Sequence, residues 1–361
     1  MLYENDGVSI YDKSKASVGY TIFWTLGTST VKLMDMNGTI VNEWDMGGLP
    51  GNYGYLLPNG NMLAAIRTDQ QVLGLAAKGG HIVEVDWDGN IVWEHIDHFQ
   101  HHDFRRLENG NTCYIRWELM PEELAAKVPG GKAGEEHEDG IYSDGIQEID
   151  ADGNTVWEWH FATDIEDYSK YPICPIEHRK EWAHANTICP LPDGDYLISF
   201  RQNHLIARID RKTKKFSWYM CDHKLGHQHD VQMLENGNIL VYANGAHGPY
   251  HGTNEGSRIF EIDPKTDETV WEYVGSPPYT FDSPFISGCQ PMPNGNMLIC
   301  EGRSGRLFEV TREGEIVWNF NSPHVSDTPP YAPGRSIFRC YRYAADSPEI
   351  AGRLGDPSWS K

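Results

Sequence analysis

The chain of 361 residues is 39% hydrophobic and 12% aromatic, which is enough apolar surface to form a large buried core. Its 52 Asp and Glu residues outnumber 30 Lys and Arg residues, giving a formal net charge of -22. Because this charge repels phosphate backbones and anionic lipid headgroups, we expect neither a nucleic-acid nor a membrane partner. A small anionic substrate would need cations concentrated in one pocket.

The N-terminal segment lacks the basic start, apolar run and small-residue cleavage site of a signal peptide. No apolar stretch approaches the roughly 18 residues that a membrane-spanning helix needs. The seven cysteines include no CxxC pair. We therefore expect a cytoplasmic protein with reduced thiols, although a mature exported protein given a new start codon would look the same.

Two short phrases alternate along the chain. Asn-Gly or Asp-Gly turns lie between apolar runs at residues 56–63, 106–113, 190–197, 233–240 and 291–298. Such dipeptides favour a tight hairpin whose two central residues both have positive φ. The second phrase, rich in β-branched and aromatic residues, is typical of a strand. It is anchored by Asn42, Trp93, Trp157, Trp218, Trp271 and Trp318.

Six repeats of this size, each with about four short strands, predict an all-β fold. We expect a six-bladed β-propeller with four-stranded antiparallel blades, forming a single domain over residues 1–361. The N-terminal segment or residues 336–343 should complete the first or last blade. Residues 120–128 predict a helical turn. Insertion loops are expected at about 120–140 and 165–182, the second as a candidate lid, and a tail at 344–361.

When the repeats are aligned on their turns, several histidines fall at equivalent or neighbouring positions. His102 and His229 each precede the turn asparagine by seven residues, and Asn186 occupies the matching place in another repeat. His184 stands two residues before Asn186, as His227 does before His229, so a regular strand would place each pair on one face. If these strands are innermost in their blades, His102, His184 and His229 converge on an axial funnel.

Arginines follow the same turns in three repeats, at Arg67, Arg116 and Arg201. Imidazoles and guanidiniums together in an acidic protein predict an anion-binding site. The alternatives are structural: a repeated histidine can cap a strand or bind a carbonyl group, and an arginine can pair with a carboxylate. For Arg67 and Arg116 we favour the ion pair.

The phrases "HHDFRRLENGNT", "WAHANT", "ISFRQNHLIARID" and "QHDVQMLENGNILVYANG", with the blade repeats, resemble the arylsulfate sulfotransferase family over about residues 7–343. The resemblance implies a six-bladed propeller that moves a sulfuryl group from a phenolic ester to another phenol. The family uses neither a nucleotide donor nor a cofactor, and it forms a covalent sulfohistidine. His229 would be the nucleophile, with His102, His184 and Arg201 binding sulfate and assisting proton transfer.

Further residues are expected to contact a small aromatic or anionic substrate: Arg67, Arg116, His101, His227, Asn186 and Tyr250. Asp230 should be structural, because it points to the opposite face from His229 on a regular strand. The chain also departs from the best-known family members, which carry an extra N-terminal domain and a disulfide. The reaction can therefore differ from the one that the family name describes.

Two other function classes remain open from the sequence. One is a metal-dependent lyase or isomerase acting on an anionic substrate, with His102, His184 and His229 holding a divalent transition metal. Gln228 weakens this hypothesis, because it would point away from the partners of His229. The other is a non-catalytic propeller that binds proteins or sugars. The sequence predicts no particular oligomeric state.

Overall fold

The computed structural model describes residues 5–70, 72, 74–246, 256–277, 279–329 and 331–355. Six antiparallel sheets dominate it, five with four strands and one extended by a fifth. The fold is an all-β, six-bladed β-propeller with four-stranded antiparallel blades, as the repeats predicted. Helices are few and short: α1 (Glu122–Ala125) lies in the predicted helical turn, whereas α2 (Phe161–Asp164) was not predicted. No described helix is long and apolar enough to cross a membrane.

The chain divides into two compact units, and the single domain remains a prediction. Unit 1 comprises the described residues within Met1–Arg67, His81–Ile96 and Thr280–Lys361, and unit 2 those within Thr68–Gly80 and Asp97–Tyr279. The strands of unit 1 are β1 (Gly7–Tyr11), β2 (Tyr20–Thr25), β3 (Thr30–Met34), β4 (Ile40–Asp45), β5 (Pro50–Leu56), β6 (Met62–Arg67), β7 (Gly80–Val85), β8 (Ile91–Ile96), β23 (Gly288–Pro291), β24 (Met297–Glu301), β25 (Arg306–Val310), β26 (Ile316–Asn321) and β27 (Ile337–Tyr343).

Unit 2 contains three blades and a small parallel pair, formed by β11 and β14. Its strands are β9 (Gln100–Arg106), β10 (Thr112–Leu119), β11 (Gly130–Lys132), β12 (Tyr142–Ile149), β13 (Thr155–His160), β14 (Ile173–His178), β15 (Ala185–Pro190), β16 (Tyr196–Phe200), β17 (Leu205–Ile209), β18 (Phe216–Cys221), β19 (His229–Met233), β20 (Ile239–Ala243), β21 (Arg258–Asp263) and β22 (Glu268–Val274). The blade orders are β13-β12-β10-β9, β15-β16-β17-β18 and β19-β20-β21-β22.

Both chain ends complete blades in unit 1. The strand β27 pairs antiparallel with β2 and becomes the edge strand of the first blade, with Tyr343 opposite Tyr20. The strand β1 pairs with β26 and adds a fifth strand to the last blade. Both predicted pairings therefore occur. The anchors of the second sequence phrase lie on the fourth strand of each blade, β4, β8, β13, β18, β22 and β26.

The repeated turns join the first two strands of five blades, but their geometry differs from the expected one. In each turn only the glycine has positive φ among the described residues, as at Gly60 and Gly237 (83° and 85°). The preceding Asn59 accepts a hydrogen bond on Oδ1 from the backbone N of Asn61 (2.9 Å). This bond recurs in the other four turns. Because the side chain stabilises the turn, the asparagine does not need the left-handed conformation.

The predicted insertions differ from each other. Residues 132–136 are exposed, as expected of a solvated loop. The segment 167–182, which we call the wall segment, instead buries Ile173, Cys174 and Trp182 and contains β14. Beyond β27, Ile350 is buried against the core of unit 1. All seven cysteines are free thiols, as expected, and five are buried.

Candidate active site

Three neighbouring edge strands of unit 2 form the scaffold of the site. The strands β9, β15 and β19 are each the first strand of a blade, with β9 packing against β15 and β15 against β19. The predicted histidines lie at or just before the start of these strands. The strands that precede the turns therefore lie side by side within unit 2.

His102, His184 and His229 are buried, and the rings of His102 and His184 meet edge to face with centroids 4.6 Å apart. Burial lowers the pKa of His102 well below its ordinary value, and nearby His184, His101, His229 and Arg201 lower it further. The charges of all four residues therefore act on one imidazole. We call His102, His184, His229 and Arg201 the histidine cluster.

The backbone reaches this arrangement without the regular strand that the alternation argument assumed. His102, His184 and His227 have φ of 53°, 56° and 64°, and β15 and β19 begin only after His184 and His227. The left-handed conformation costs energy in a non-glycine residue and concentrates at functional sites. The prediction that His184 and His227 share a strand face with Asn186 and His229 was therefore wrong, because a bend precedes each strand.

The orientation of His229 is fixed through Nδ1. This nitrogen lies 2.7 Å from Oδ1 of Asn244 and 3.1 Å from the backbone oxygen of His227. Because a carbonyl oxygen can only accept a hydrogen bond, Nδ1 carries the ring proton. The lone pair of the neutral imidazole is then on Nε2.

His102 belongs to a chain of buried groups. Its Nδ1 lies 2.6 Å from Nδ1 of His101, and Nε2 of His101 lies 3.2 Å from Oδ1 of Asp144. The His101 ring also stacks on Trp117 with centroids 4.3 Å apart. Burial raises the pKa of Asp144 above its usual range, although His101 opposes this shift. The three groups therefore lie in a row, although the contact between His101 and Asp144 does not have hydrogen-bond geometry.

His184 is held by a buried carboxylate. Its Nδ1 lies 3.0 Å from Oε1 of Glu181, whose Oε2 accepts a hydrogen bond from Nε1 of Trp117 (3.0 Å). Burial opposes ionisation of Glu181, but His184, His101 and Trp117 prevail and lower its pKa to about 2. Because the ionised carboxylate can only accept a hydrogen bond, Nδ1 of His184 is the donor in this pair.

Arg201 shares a carboxylate with His227. Its Nη1 donates to Oε1 of Glu177 (3.2 Å), and Nδ1 of His227 lies 3.5 Å from the same oxygen. The backbone N of Arg201 donates to the oxygen of His184 (3.0 Å), which ties the two cluster residues together. Arg201 is thus a partly exposed cation at the edge of the buried histidines.

The other predicted contact residues lie elsewhere or have structural partners. Asn186 is buried and donates to the oxygen of Gln228 (2.7 Å). Arg116 forms the ion pair that we favoured, with Nε 2.8 Å from Asp97. Arg67 belongs to unit 1, where its guanidinium lies 5.9 Å from the ring of Tyr331. Tyr250 lies outside the described residues.

His227, which was expected to contact substrate, and Asp230, which was expected to be structural, both lie close to His229 in sequence but have other partners. The ring of His227 stacks on His204 rather than on the histidine cluster, with centroids 4.7 Å apart. Asp230 is buried, and its backbone N donates to Oγ1 of Thr187 (2.8 Å). Gln228 donates through Nε2 to the oxygens of Phe200 and Leu205 and so supports the fold.

Several supporting residues were not found from the sequence: Asp144, Trp117, Glu181, Glu177 and Asn244. Two of them, Glu177 and Glu181, lie in the wall segment, where carboxylates among apolar residues were the available signal. Asn244 follows directly after β20, at the place after the turn that Arg67 and Arg201 occupy in their own repeats. These residues orient the cluster; Trp117 and Asp144 lie on the blade strands β10 and β12, whereas Glu177 and Glu181 lie outside the blades.

One group of potential metal ligands lies in unit 2, and it differs from the residues of the metal hypothesis. In the part of the chain that the structure describes, one group of three potential ligands has its donor atoms within 4.8 Å of one another. That group is Cys174, His204 and His227, and it includes none of His102, His184 and His229.

The fold and the cluster define a β-propeller protein with a group of buried histidines, one of which, His102, has a pKa well below its ordinary value. Such a group is typical of acid–base or nucleophilic chemistry. The arylsulfotransferase (ASST) family model matches residues 55–323, most of the chain, and the chain belongs to this family. Membership implies a sulfotransferase-type enzyme with a small aromatic substrate. Among curated proteins, no sequence matches.

Several solved structures are similar to the chain at low sequence identity. A protein of unknown function from Bacteroides caccae is 14% identical, with 90% of this chain and 99% of that chain covered and a TM-score of 0.56. A streptogramin B lyase is 13% identical, with 94% and 95% covered and a TM-score of 0.48. A virginiamycin B lyase from Staphylococcus aureus is 12% identical, with 88% of each chain covered and a TM-score of 0.44. At 14% identity, the likeness to the Bacteroides caccae protein concerns the fold alone.

Proposed function

We propose that the protein transfers a sulfuryl group from an aryl sulfate ester to a phenol, through a covalent intermediate on Nε2 of His229. The observation that carries the proposal is the fixed tautomer of His229. Asn244 and the His227 carbonyl group hold the proton on Nδ1, which directs the lone pair of Nε2 for attack. A neutral imidazole is a good nucleophile at neutral pH.

In the first half-reaction, Nε2 of His229 attacks sulfur, and the bond between sulfur and the aryl oxygen breaks. The departing phenolate takes a proton from Nε2 of His102. Negative charge on the three sulfuryl oxygens is stabilised by Arg201, as cations stabilise phosphoryl transfer. The sulfated ring of His229 gains positive charge, which its Nδ1–H shares with Oδ1 of Asn244 (2.7 Å).

The chain Asp144–His101–His102 provides and recovers this proton. In one state Asp144 is ionised, each histidine donates towards the carboxylate, and Nε2 of His102 is a base. Adding a proton at this nitrogen and shifting one proton along each link gives the second state. Asp144 is then neutral and Nε2 of His102 carries a proton. No charged imidazole persists in either state, which agrees with the lowered pKa of His102 and the raised pKa of Asp144.

In the second half-reaction, the acceptor phenol gives its proton to Nε2 of His102. The phenol oxygen attacks sulfur, the bond between sulfur and Nε2 breaks, and His229 returns to its neutral form. The same chain of groups thus acts as acid first and as base second. The proposed mechanism uses no cofactor.

The test combines turnover with detection of the intermediate. The protein is incubated with 4-nitrophenyl sulfate, with and without an acceptor phenol, and nitrophenolate release and intact mass are measured. We expect turnover without added metal, and an adduct of one sulfuryl group when the acceptor is omitted. His229→Gln should abolish both, whereas His95→Gln, a substitution on β8 in unit 1, should change neither.

Two outcomes would contradict the proposal. Full adduct formation in His229→Gln would mean that another residue is the nucleophile. Turnover that requires a metal and forms no adduct would favour the lyase or isomerase hypothesis. The absence of turnover with a panel of aryl sulfates, together with tight binding of a sugar or protein, would favour a binding module.

A further inference from the structure

A second buried cluster in unit 2 takes no part in the proposed reaction. It consists of Cys174, His204 and His227, whose potential ligand atoms lie within 4.8 Å of one another. Cys174 is on β14, His204 follows β16, and His227 precedes β19, so the fold assembles them from three separate segments. We call this group the Cys-His-His cluster.

We propose that the Cys-His-His cluster binds a divalent transition-metal ion, with Zn²⁺ as the expected occupant. A thiolate and two imidazoles are the donors that zinc prefers, whereas Mg²⁺ and Ca²⁺ are bound mainly by oxygen. Three protein ligands leave a fourth position, which a water molecule or a neighbouring carboxylate would occupy.

The backbone fixes the ligands in place before any metal binds. His204 and His227 have φ of 50° and 64°, a left-handed conformation that persists only where the surroundings impose it. The backbone N of His227 donates to Nδ1 of His204 (3.2 Å), and the backbone N of Cys174 donates to the oxygen of Gln202 (2.9 Å). The segments that carry the ligands are therefore hydrogen-bonded to one another.

The groups around the cluster favour one mode of ligation. Nδ1 of His227 faces Oε1 of Glu177 at 3.5 Å, which assigns Nε2 of His227 to the metal and resembles the carboxylate–histidine–zinc arrangement of known sites. For His204, binding through Nε2 moves the ring proton to Nδ1. This change gives up the hydrogen bond from the backbone N of His227, a cost that the new metal–nitrogen bond must exceed.

A metal at this position would join the segments that support the histidine cluster. Cys174 belongs to the wall segment, His204 lies three residues after Arg201, and His227 lies two residues before His229. Glu177 contacts both His227 and Arg201. The ion is expected to stabilise these segments, and the proposal stands whether or not the chain transfers sulfuryl groups.

The experiment measures metal binding rather than activity. Purified full-length protein is analysed for bound metal, treated with a chelator, and titrated with Co²⁺ and then Zn²⁺. Wild-type protein should take up one Co²⁺ per chain with a thiolate-to-cobalt charge-transfer band, and Zn²⁺ should displace the ion and raise the melting temperature. Cys174→Ser should lose the band, and His227→Gln should weaken binding by at least about tenfold.

Two variants serve as controls. Cys221→Ser removes an exposed cysteine of the same unit, and His229→Gln removes the proposed nucleophile; both should keep the band and the Zn²⁺ effect. A wild-type protein without the band, or a band that survives in Cys174→Ser, would overturn the proposal. If Cys174→Ser does not fold by circular dichroism, His227→Gln retains the thiol and decides the matter: unchanged affinity in that variant would also overturn it.

Discussion

Substitutions of Asn244 test the role of the His229 tautomer while His229 itself is retained. Replacing Asn244 by Leu removes the side-chain acceptor of Nδ1, and the His229 ring can then rotate or adopt the other tautomer. We expect Asn244→Leu to lower kcat by about 10- to 100-fold, as the loss of other orienting partners does, with little change in KM for the donor.

The conservative variant separates orientation from a general packing defect. Asn244→Asp retains an acceptor of similar size and should recover much of the kcat that Asn244→Leu loses. Both values come from steady-state kinetics with a chromogenic aryl sulfate. If Asn244→Leu keeps the wild-type kcat, the tautomer of His229 does not limit the reaction.

Glu181 should make the free energy of unfolding depend on pH. Its pKa is lowered to about 2 in the folded protein, from an ordinary value of 4.5. Between these values the unfolded chain binds a proton that the folded protein does not bind. The contribution of Glu181 to the free energy of unfolding is therefore complete above pH 4.5 and is lost as the pH falls towards 2.

The expected result is a difference in how steeply the free energy of unfolding falls with pH. From about pH 5 to about pH 3 the wild type should lose on the order of 1–2 kcal/mol more stability than Glu181→Gln, measured by urea unfolding. Glu123→Gln, on the exposed side of α1, is the matched control and should follow the wild type. Parallel curves for wild type and Glu181→Gln would show that this carboxylate is not held ionised by its neighbours.

At the scale of elements, two glycines of the blade β19-β20-β21-β22 and the loop before it have different structural roles. Gly237, in the turn between β19 and β20, has φ of 85° and open space where a Cβ would lie. Gly226, just before His227, has φ of 57°, and a Cβ there would lie 2.6 Å from the Cα of Gly245. The close approach of these two glycines brings the loop of His227 and His229 next to Asn244.

A matched pair of substitutions separates backbone strain from this close approach. Gly237→Ala should cost about 1 kcal/mol of stability, because alanine tolerates positive φ poorly, and should leave kcat unchanged. Gly226→Ala adds a clash with backbone and should destabilise more and lower kcat. The measurements are urea unfolding and aryl sulfate turnover. Equal effects of the two substitutions on kcat would mean that the Gly226–Gly245 approach does not position His229.

The secondary-structure elements also show which features of the structure could be predicted from the sequence. Strands and turns could be predicted because period-two alternation and turn residues are local signals. Convergence of His102, His184 and His229 could be predicted because equivalent positions of neighbouring blades lie side by side. The hydrogen-bond partners of these histidines could not be predicted from the sequence. Glu181 comes from the wall segment, outside the repeat. Asn244 stands where two other repeats have an arginine, so the alignment did not mark it as a partner of His229. The left-handed bends at His184 and His227 interrupt the alternation.

At the scale of the whole molecule, the net charge of -22 opposes the approach of an anionic donor, although Arg201 and the histidines attract it locally. Long-range repulsion is screened by salt, with a Debye length of about 30 Å at 0.01 M and about 10 Å at 0.1 M ionic strength. The local attraction acts over contact distances and is screened less. Raising the salt concentration should therefore help the donor to reach the site.

We accordingly expect kcat/KM for the aryl sulfate to rise between about 0.01 M and 0.1 M ionic strength, because screening removes repulsion over this range. The neutral acceptor phenol is an internal control, since its own kcat/KM in the second half-reaction should stay constant. Comparing sodium chloride with a salt of a bulkier anion separates screening from competition at the cluster. A fall in the donor value with both salts would mean that a local positive field, rather than the total charge, controls access to His229.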